Sequence, residues 1–121
     1  MTTAEVATQL VALCRAGSFI DAVATFYADD VVSVEAMDFK GMGRELRGKE
    51  AVRAKNLDWF DDNDIHSASV TGPFVSPESF AVMYSFDWTV KASGQRVQLS
   101  EVAVYTVVAG KIVREEFLYG V

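Results

Sequence analysis

The sequence predicts an α+β fold in which helices cover one face of an antiparallel β-sheet. Three observations predict it: helical periodicity through the first half, β-rich runs through the second, and two tight turns that fold residues 80–119 back on themselves. The order read along the chain is α-α-β-α-β-β-β-β, with the helices gathered ahead of most of the sheet.

Thr2-Thr3-Ala4-Glu5 has the spacing of a capping box, and Val6, Leu10 and Leu13 follow at helical intervals. Ala16-Gly17 ends that helix. Ser18 caps a second one, with Asp21 three residues later and Phe19, Val23, Phe26 and Tyr27 along one side; Asp29-Asp30 closes it. The β-branched run from Val31 to Ala36 is the first strand. From Met37 to Arg47 no period emerges among Met37, Phe39, Gly41, Met42 and Gly43, so the segment reads as a mobile flap or loop. A third helix runs from Gly48 to Phe60, with Val52, Asn56, Trp59 and Phe60 facing inward, until Asp61-Asp62-Asn63-Asp64 breaks it. Ile65 to Val75 is a strand bent near Gly72-Pro73, and Ser76-Pro77-Glu78 turns the chain into the central stretch.

That stretch holds three strands, Phe80–Val90, Val97–Val108 and Ile112–Tyr119. Gly94 and Gly110 mark the turns, where positive φ is needed. Two-residue loops at Ser93-Gly94 and Ala109-Gly110 would set Tyr84 against Ala103, Phe86 against Glu101, Tyr105 against Arg114 and Ala103 against Glu116. One face then carries Tyr84, Phe86, Trp88, Val90, Val97, Leu99, Tyr105 and Leu118, with Glu101, Glu116 and Arg114 its only charged members. The opposite face is polar near the first turn and apolar further along, which suits an oligomer contact.

At 121 residues the chain is expected to be one domain spanning 1–121. A net charge of −6 and a pI near 4.6 exclude a nucleic-acid partner and adsorption to anionic membranes. No apolar run reaches the ~20 residues of a membrane-spanning helix. The absence of a basic, signal-like start and the lone Cys14, read as a packed thiol, lead to the expectation of a cytoplasmic protein.

The helix pair, Phe26-Tyr27-Ala28-Asp29-Asp30 leading into a strand, and Gly48-Lys49-Glu50-Ala51-Val52 opening the third helix resemble the SnoaL-like branch of the NTF2-like superfamily, which includes ketosteroid-isomerase-like proteins. Gly110-Lys111-Ile112-Val113 with Glu116-Phe117-Leu118-Tyr119 adds to the resemblance, which covers nearly the whole chain. The resemblance implies a cone-shaped fold: a curved sheet wrapped around three helices, a blind apolar pocket, and frequent homodimerisation. Relatives with isomerase, cyclase or epoxide-hydrolase activity use pocket carboxylates, usually Asp. Where many SnoaL-like sequences carry an Asp before the last turn, this chain has Ala103, which speaks against polyketide-cyclase chemistry in particular.

Glu101 and Glu116 are accordingly the candidate acids, since burial and a like charge raise a carboxyl towards neutrality, where it can shuttle protons. Tyr84 and Tyr105 are candidate hydrogen-bond donors to a developing oxyanion. Trp88, Phe86, Trp59 and Met37 would hold an apolar small molecule, with Arg114, His66 and Glu35 as further binding candidates; Asp87 is directed outward by the register. His66 lacks a second histidine, so no metal is expected. Gly43 to Glu50 nearly spells a phosphate-binding loop, but Glu50 stands where a magnesium-binding hydroxyl is required, and nucleotide binding is rejected. The expected function is a cofactor-independent isomerase, cyclase or hydrolase acting on an apolar carbonyl, enone or epoxide. The alternative is a non-catalytic ligand-binding or dimerisation module in which Arg114 pairs with the acids.

Overall fold

A computed structural model describes residues 1–38, 41 and 43–120. Helix α1 (Thr3–Arg15) begins with the expected reciprocal cap: the Glu5 amide donates to Thr2 Oγ1 and the Thr2 amide to Glu5 Oε1, each at 3.1 Å. Its buried side, Val6, Ala7, Leu10, Val11 and Cys14, faces the sheet. Arg15 at its end donates to the carbonyls of Val70 and Gly72 at 3.0 and 3.3 Å, tying the helix to the bent strand. Helix α2 (Phe19–Phe26) has no side-chain cap from Ser18. Its C-terminal carbonyls take lysines instead, Lys49 on Ala24 at 2.6 Å and Lys111 on Thr25 at 2.8 Å.

The chain passes straight from α2 into β1 (Tyr27–Val34), so Tyr27 opens a strand where the sequence suggested a helix side. The segment read as a loop contains the short β2 (Glu45–Arg47), antiparallel to β1; Phe39 and Met42 lie outside the described residues. Helix α3 (Lys49–Asp62) follows from Gly48, whose φ of 97° favours glycine. Strands β3 (Asn63–Val75), β4 (Ser79–Val90), β5 (Arg96–Val108) and β6 (Lys111–Leu118) complete a sheet of order β2-β1-β6-β5-β4-β3. The expected all-antiparallel sheet is corrected to a mixed one, because β1 lies parallel to β6.

Two register findings decide which side chains share the interior. The Val90 amide donates the closing bond to the Gln95 carbonyl across a four-residue turn, Lys91 to Gly94, so Tyr84 pairs with Glu101 and Phe86 with Leu99. That is two residues from the expected register; parity is kept and Glu101 stays inside. The Ala109-Gly110 turn has the two-residue form, both residues at positive φ (51° and 76°) and Val108 opposite Lys111. Beyond it, a bulge at Val113 inserts one residue, so Thr106 pairs with Arg114 and Tyr105 with Glu115. One residue reverses every face that follows. An inner row therefore reads Phe80, Tyr105, Glu115, Ser33 across β4, β5, β6 and β1, and the outer row beside it reads Ala81, Val104, Glu116, Val34.

Candidate active site

The inner face between the sheet and α3 gathers three carboxyls, Glu35, Glu101 and Glu115, around one lysine. Glu115 is 1% exposed. Its carboxylate accepts from Tyr27 Oη at 2.7 Å on one oxygen and from Ser33 Oγ at 3.2 Å on the other. Burial pushes its pKa up, and the Lys55 ammonium and these two hydrogen bonds hold back part of the rise. Lys55, on the same side of α3 as Val52 and Trp59, donates to Ser33 Oγ at 3.1 Å and to Glu35 Oε1 at 2.8 Å. Tyr119 Oη donates to the other Glu35 oxygen at 3.1 Å. A continuous line of polar contacts thus runs Tyr119, Glu35, Lys55, Ser33, Glu115, Tyr27, from half-buried to buried.

Glu101 stands apart from that line. Among the described residues its carboxyl has no hydrogen bond or ion pair, although it is largely withdrawn from water. Burial first, then the charges of Glu35 and Glu115, push it up to about 7, with Lys55 opposing. The carboxyl therefore exists in both protonation states near neutral pH.

Beside it lies an aromatic wall. Trp59 of α3 meets Phe86 and Trp88 of β4 edge-on, with ring centroids 5.6 and 5.4 Å apart, and Phe60 at 5.3 Å. Phe19 of α2 packs against Phe86 at 5.9 Å. Trp59, Phe86, Trp88, Val97, Leu99 and Phe117 all keep partial exposure, whereas the core below them (Leu10, Val31, Phe80, Val82, Ile112) is closed. Tyr84 and Tyr105 belong to that closed region. Their hydroxyls are 2.7 Å apart, Tyr84 also lies 3.7 Å from Cys14 Sγ, and burial raises both phenols well above their ordinary value. Tyr84 flanks Glu101 across the strands, but its hydroxyl is already engaged.

The remaining candidates lie elsewhere. Glu116 is on the outer face, bonded to Arg114 at 3.0 Å with both side chains partly in solvent. The expectation that these two share the inner face with Glu101 is corrected by the bulge at Val113. His66 sits in a bulge of β3 and contacts Thr89 Oγ1 at 2.7 Å on the exposed side. Asp87 faces outward, as expected, in a two-pronged pair with Arg96 at 2.9 and 2.7 Å plus Gln98 at 3.1 Å, which holds its carboxyl down at about 2. Met37 is 41% exposed just past β1. A shallow depression of about 360 Å³ on the outer face, lined by Ser67, Ser69, Ser85, Asp87, Gln98 and Ser100 among others, contains none of the inner carboxyls. Among the described residues no group of three His, Cys, Asp or Glu side chains is arranged to hold a metal ion.

Sequence reasoning missed Glu115, Lys55, Tyr27 and Tyr119 as members of the site. Lys55 left a readable trace, since it falls between Val52 and Trp59 on the inward stripe of α3. Glu115 left none, because the bulge that turns it inward has no marker in the sequence.

The chain belongs to the SnoaL-like domain family, whose model matches residues 1–119. A proposed "SnoaL-like polyketide cyclase [carbohydrate phosphatase]" from Mesorhizobium loti is similar at 42% identity, with a TM-score of 0.93 over 98% of this chain and 100% of that one. An NTF2-like protein from Burkholderia thailandensis shares the fold at 17% identity and a TM-score of 0.83, over 99% of this chain and 92% of its own. A proposed isomerase from Bacillus subtilis does so at 17% identity and a TM-score of 0.72, over 98% and 86%. No curated protein matches. No described helix is long and apolar enough to cross a membrane.

Proposed function

We propose that the chain binds an apolar small molecule against Trp59, Phe86 and Trp88 and transfers a proton to or from it through Glu101, without a cofactor. The reaction classes are isomerisation, cyclisation or water addition on a carbonyl, enone or epoxide. The observation that carries this reading is the Glu101 carboxyl, unpartnered and pushed up to about 7, at the partly exposed end of an aromatic inner face. A group that is half protonated near working pH is both a competent base and a competent acid. Glu115 is the less suitable base, since both of its oxygens are occupied in the closed core. The names of the Mesorhizobium loti and Bacillus subtilis proteins, a proposed cyclase and a proposed isomerase, are in keeping with proton-transfer chemistry.

The uncovered outer face supports a homodimer as the working form. Phe74, Met83 and Leu118 are 63%, 37% and 50% exposed there, flanked by Arg114 and Glu116.

A thermal-shift panel of lipophilic ketones, enones and epoxides, followed by turnover assays on the compounds that bind, tests the function. The expected result is a raised melting temperature for one chemical class and turnover that Glu101→Gln abolishes while binding persists. Unimpaired turnover by Glu101→Gln would overturn the assignment. Binding without turnover in the unaltered protein would favour the non-catalytic ligand-binding module.

A further inference from the structure

Lys55 is the one described side-chain cation in contact with the inner polar line, and its surroundings are unusually one-sided. From β1 and the residue just beyond its end come Ser33 and Glu35, from β5 Glu101, from β6 and its continuation Glu115 and Tyr119. Arg44 approaches as well, but its guanidinium donates to the Glu35 backbone carbonyl at 2.9 Å and is exposed, so it leaves the Glu35 carboxylate to Lys55. The ammonium lies over the Phe117 ring, with Nζ 5.4 Å from its centroid, and the side chain keeps 29% exposure. Two hydrogen bonds therefore fix the ammonium in place: 2.8 Å to Glu35, and 3.1 Å to Ser33, which in turn donates to Glu115. An ammonium held this way has a defined distance to every carboxyl of the cluster, and the field it exerts on each is built into the fold.

We propose that Lys55 is a positioning residue for the reaction at Glu101: clamped between Glu35 and Ser33, its charge balances the inner carboxyls and so sets the protonation of Glu101 without touching the substrate. Glu35 is the opposing half of the device, because its carboxylate both anchors the ammonium and repels a charge on Glu101. This inference rests on the reading of Glu101 as the acid–base group. Its predicted signature is a pair of opposite effects. Removing the cation alone exposes Glu101 to two carboxylates and raises its titration midpoint. Removing the Glu35 charge alone leaves the cation unopposed and lowers it. Removing both restores a midpoint near the original.

The test is a carbon-13 NMR titration of the glutamate side-chain carboxyls, with the Glu101 signal assigned by its loss in Glu101→Gln. It requires neither substrate nor turnover, so its outcome is separable from that of the proposed activity. Lys55→Met, which keeps an unbranched side chain of similar length without the charge, is expected to move the midpoint up by about one pH unit, as expected for loss of a nearby opposite charge. Lys55→Arg keeps the charge and should restore the original midpoint. Glu35→Gln is expected to move it down, and the Glu35→Gln, Lys55→Met pair to return it. A purely structural lysine would produce no such sign reversal. An unmoved midpoint in Lys55→Met, or shifts of the same sign in both single variants, would overturn the proposal.

Discussion

Replacing Glu101 with Gln should stabilise the protein, and only on the alkaline side. Gln resembles the protonated carboxyl in size and charge, so the two proteins should match at about pH 4 and below, where the carboxyl is protonated in both folded and unfolded chains. Burial and the charges of Glu35 and Glu115 lift the folded carboxyl from 4.5 to about 7, so between those values the folded chain binds more protons than the unfolded one. Stability must then fall as pH rises through that window, and level off above about 7. At about 1.4 kcal/mol per pH unit the ionised group costs the folded state about 3 kcal/mol, all of which Gln avoids. Urea unfolding from pH 4 to 8 measures this, provided the denaturant slope is the same in both proteins. The expected result is a difference that opens from almost nothing at pH 4 to about 3 kcal/mol in favour of Glu101→Gln at pH 8. A difference that stays flat across pH, or a variant less stable at pH 8, would refute the account of Glu101 as a buried, unpartnered acid. A stabilising change at the proposed base would also be a direct case of stability set aside for function.

Glu115→Ala should behave oppositely, because it leaves a void and strips the Tyr27 hydroxyl of its acceptor. A loss of about 3 kcal/mol or more is expected by urea unfolding, and a loss under about 0.5 kcal/mol would contradict the observed burial. Met83→Lys combined with Leu118→Lys should convert the proposed dimer to a monomer of 13.3 kDa in sedimentation velocity, with the melting of the isolated subunit little changed. Sedimentation of the unaltered chain as a monomer at all concentrations would remove the dimer from the proposal.

What the sequence conveyed about this molecule divides along local and non-local lines. The capping box at Thr2 and Glu5, the two-residue turn at Ala109-Gly110 and the inward stripe of α3 are written in adjacent residues, and each is legible. The parallel docking of β1 on β6 joins segments about 80 residues apart and has no local sign. The site depended on parity. An error of two residues between β4 and β5 was harmless, since side chains alternate with period two and Glu101 kept its face. An error of one between β5 and β6 exchanged Glu115 for Glu116 and sent Arg114 outward. The bulge at Val113 carries no glycine or proline to announce it. The tyrosines were placed correctly on the inner face, yet their hydroxyls bond each other, a pairing that follows from β4 lying beside β5 and not from either strand alone.

The most direct test of the central claim is hydrogen–deuterium exchange at the α-carbon of lipophilic ketones and enones in heavy water, near neutral pD. It detects proton abstraction whatever the final product, and it compares the carboxyls on the two faces of the sheet. Acceleration by the unaltered protein and by Glu116→Gln, with none by Glu101→Gln, is the predicted result. Exchange that survives in Glu101→Gln but is lost in Glu116→Gln would contradict it, and would place the working carboxyl on the outer face of the sheet.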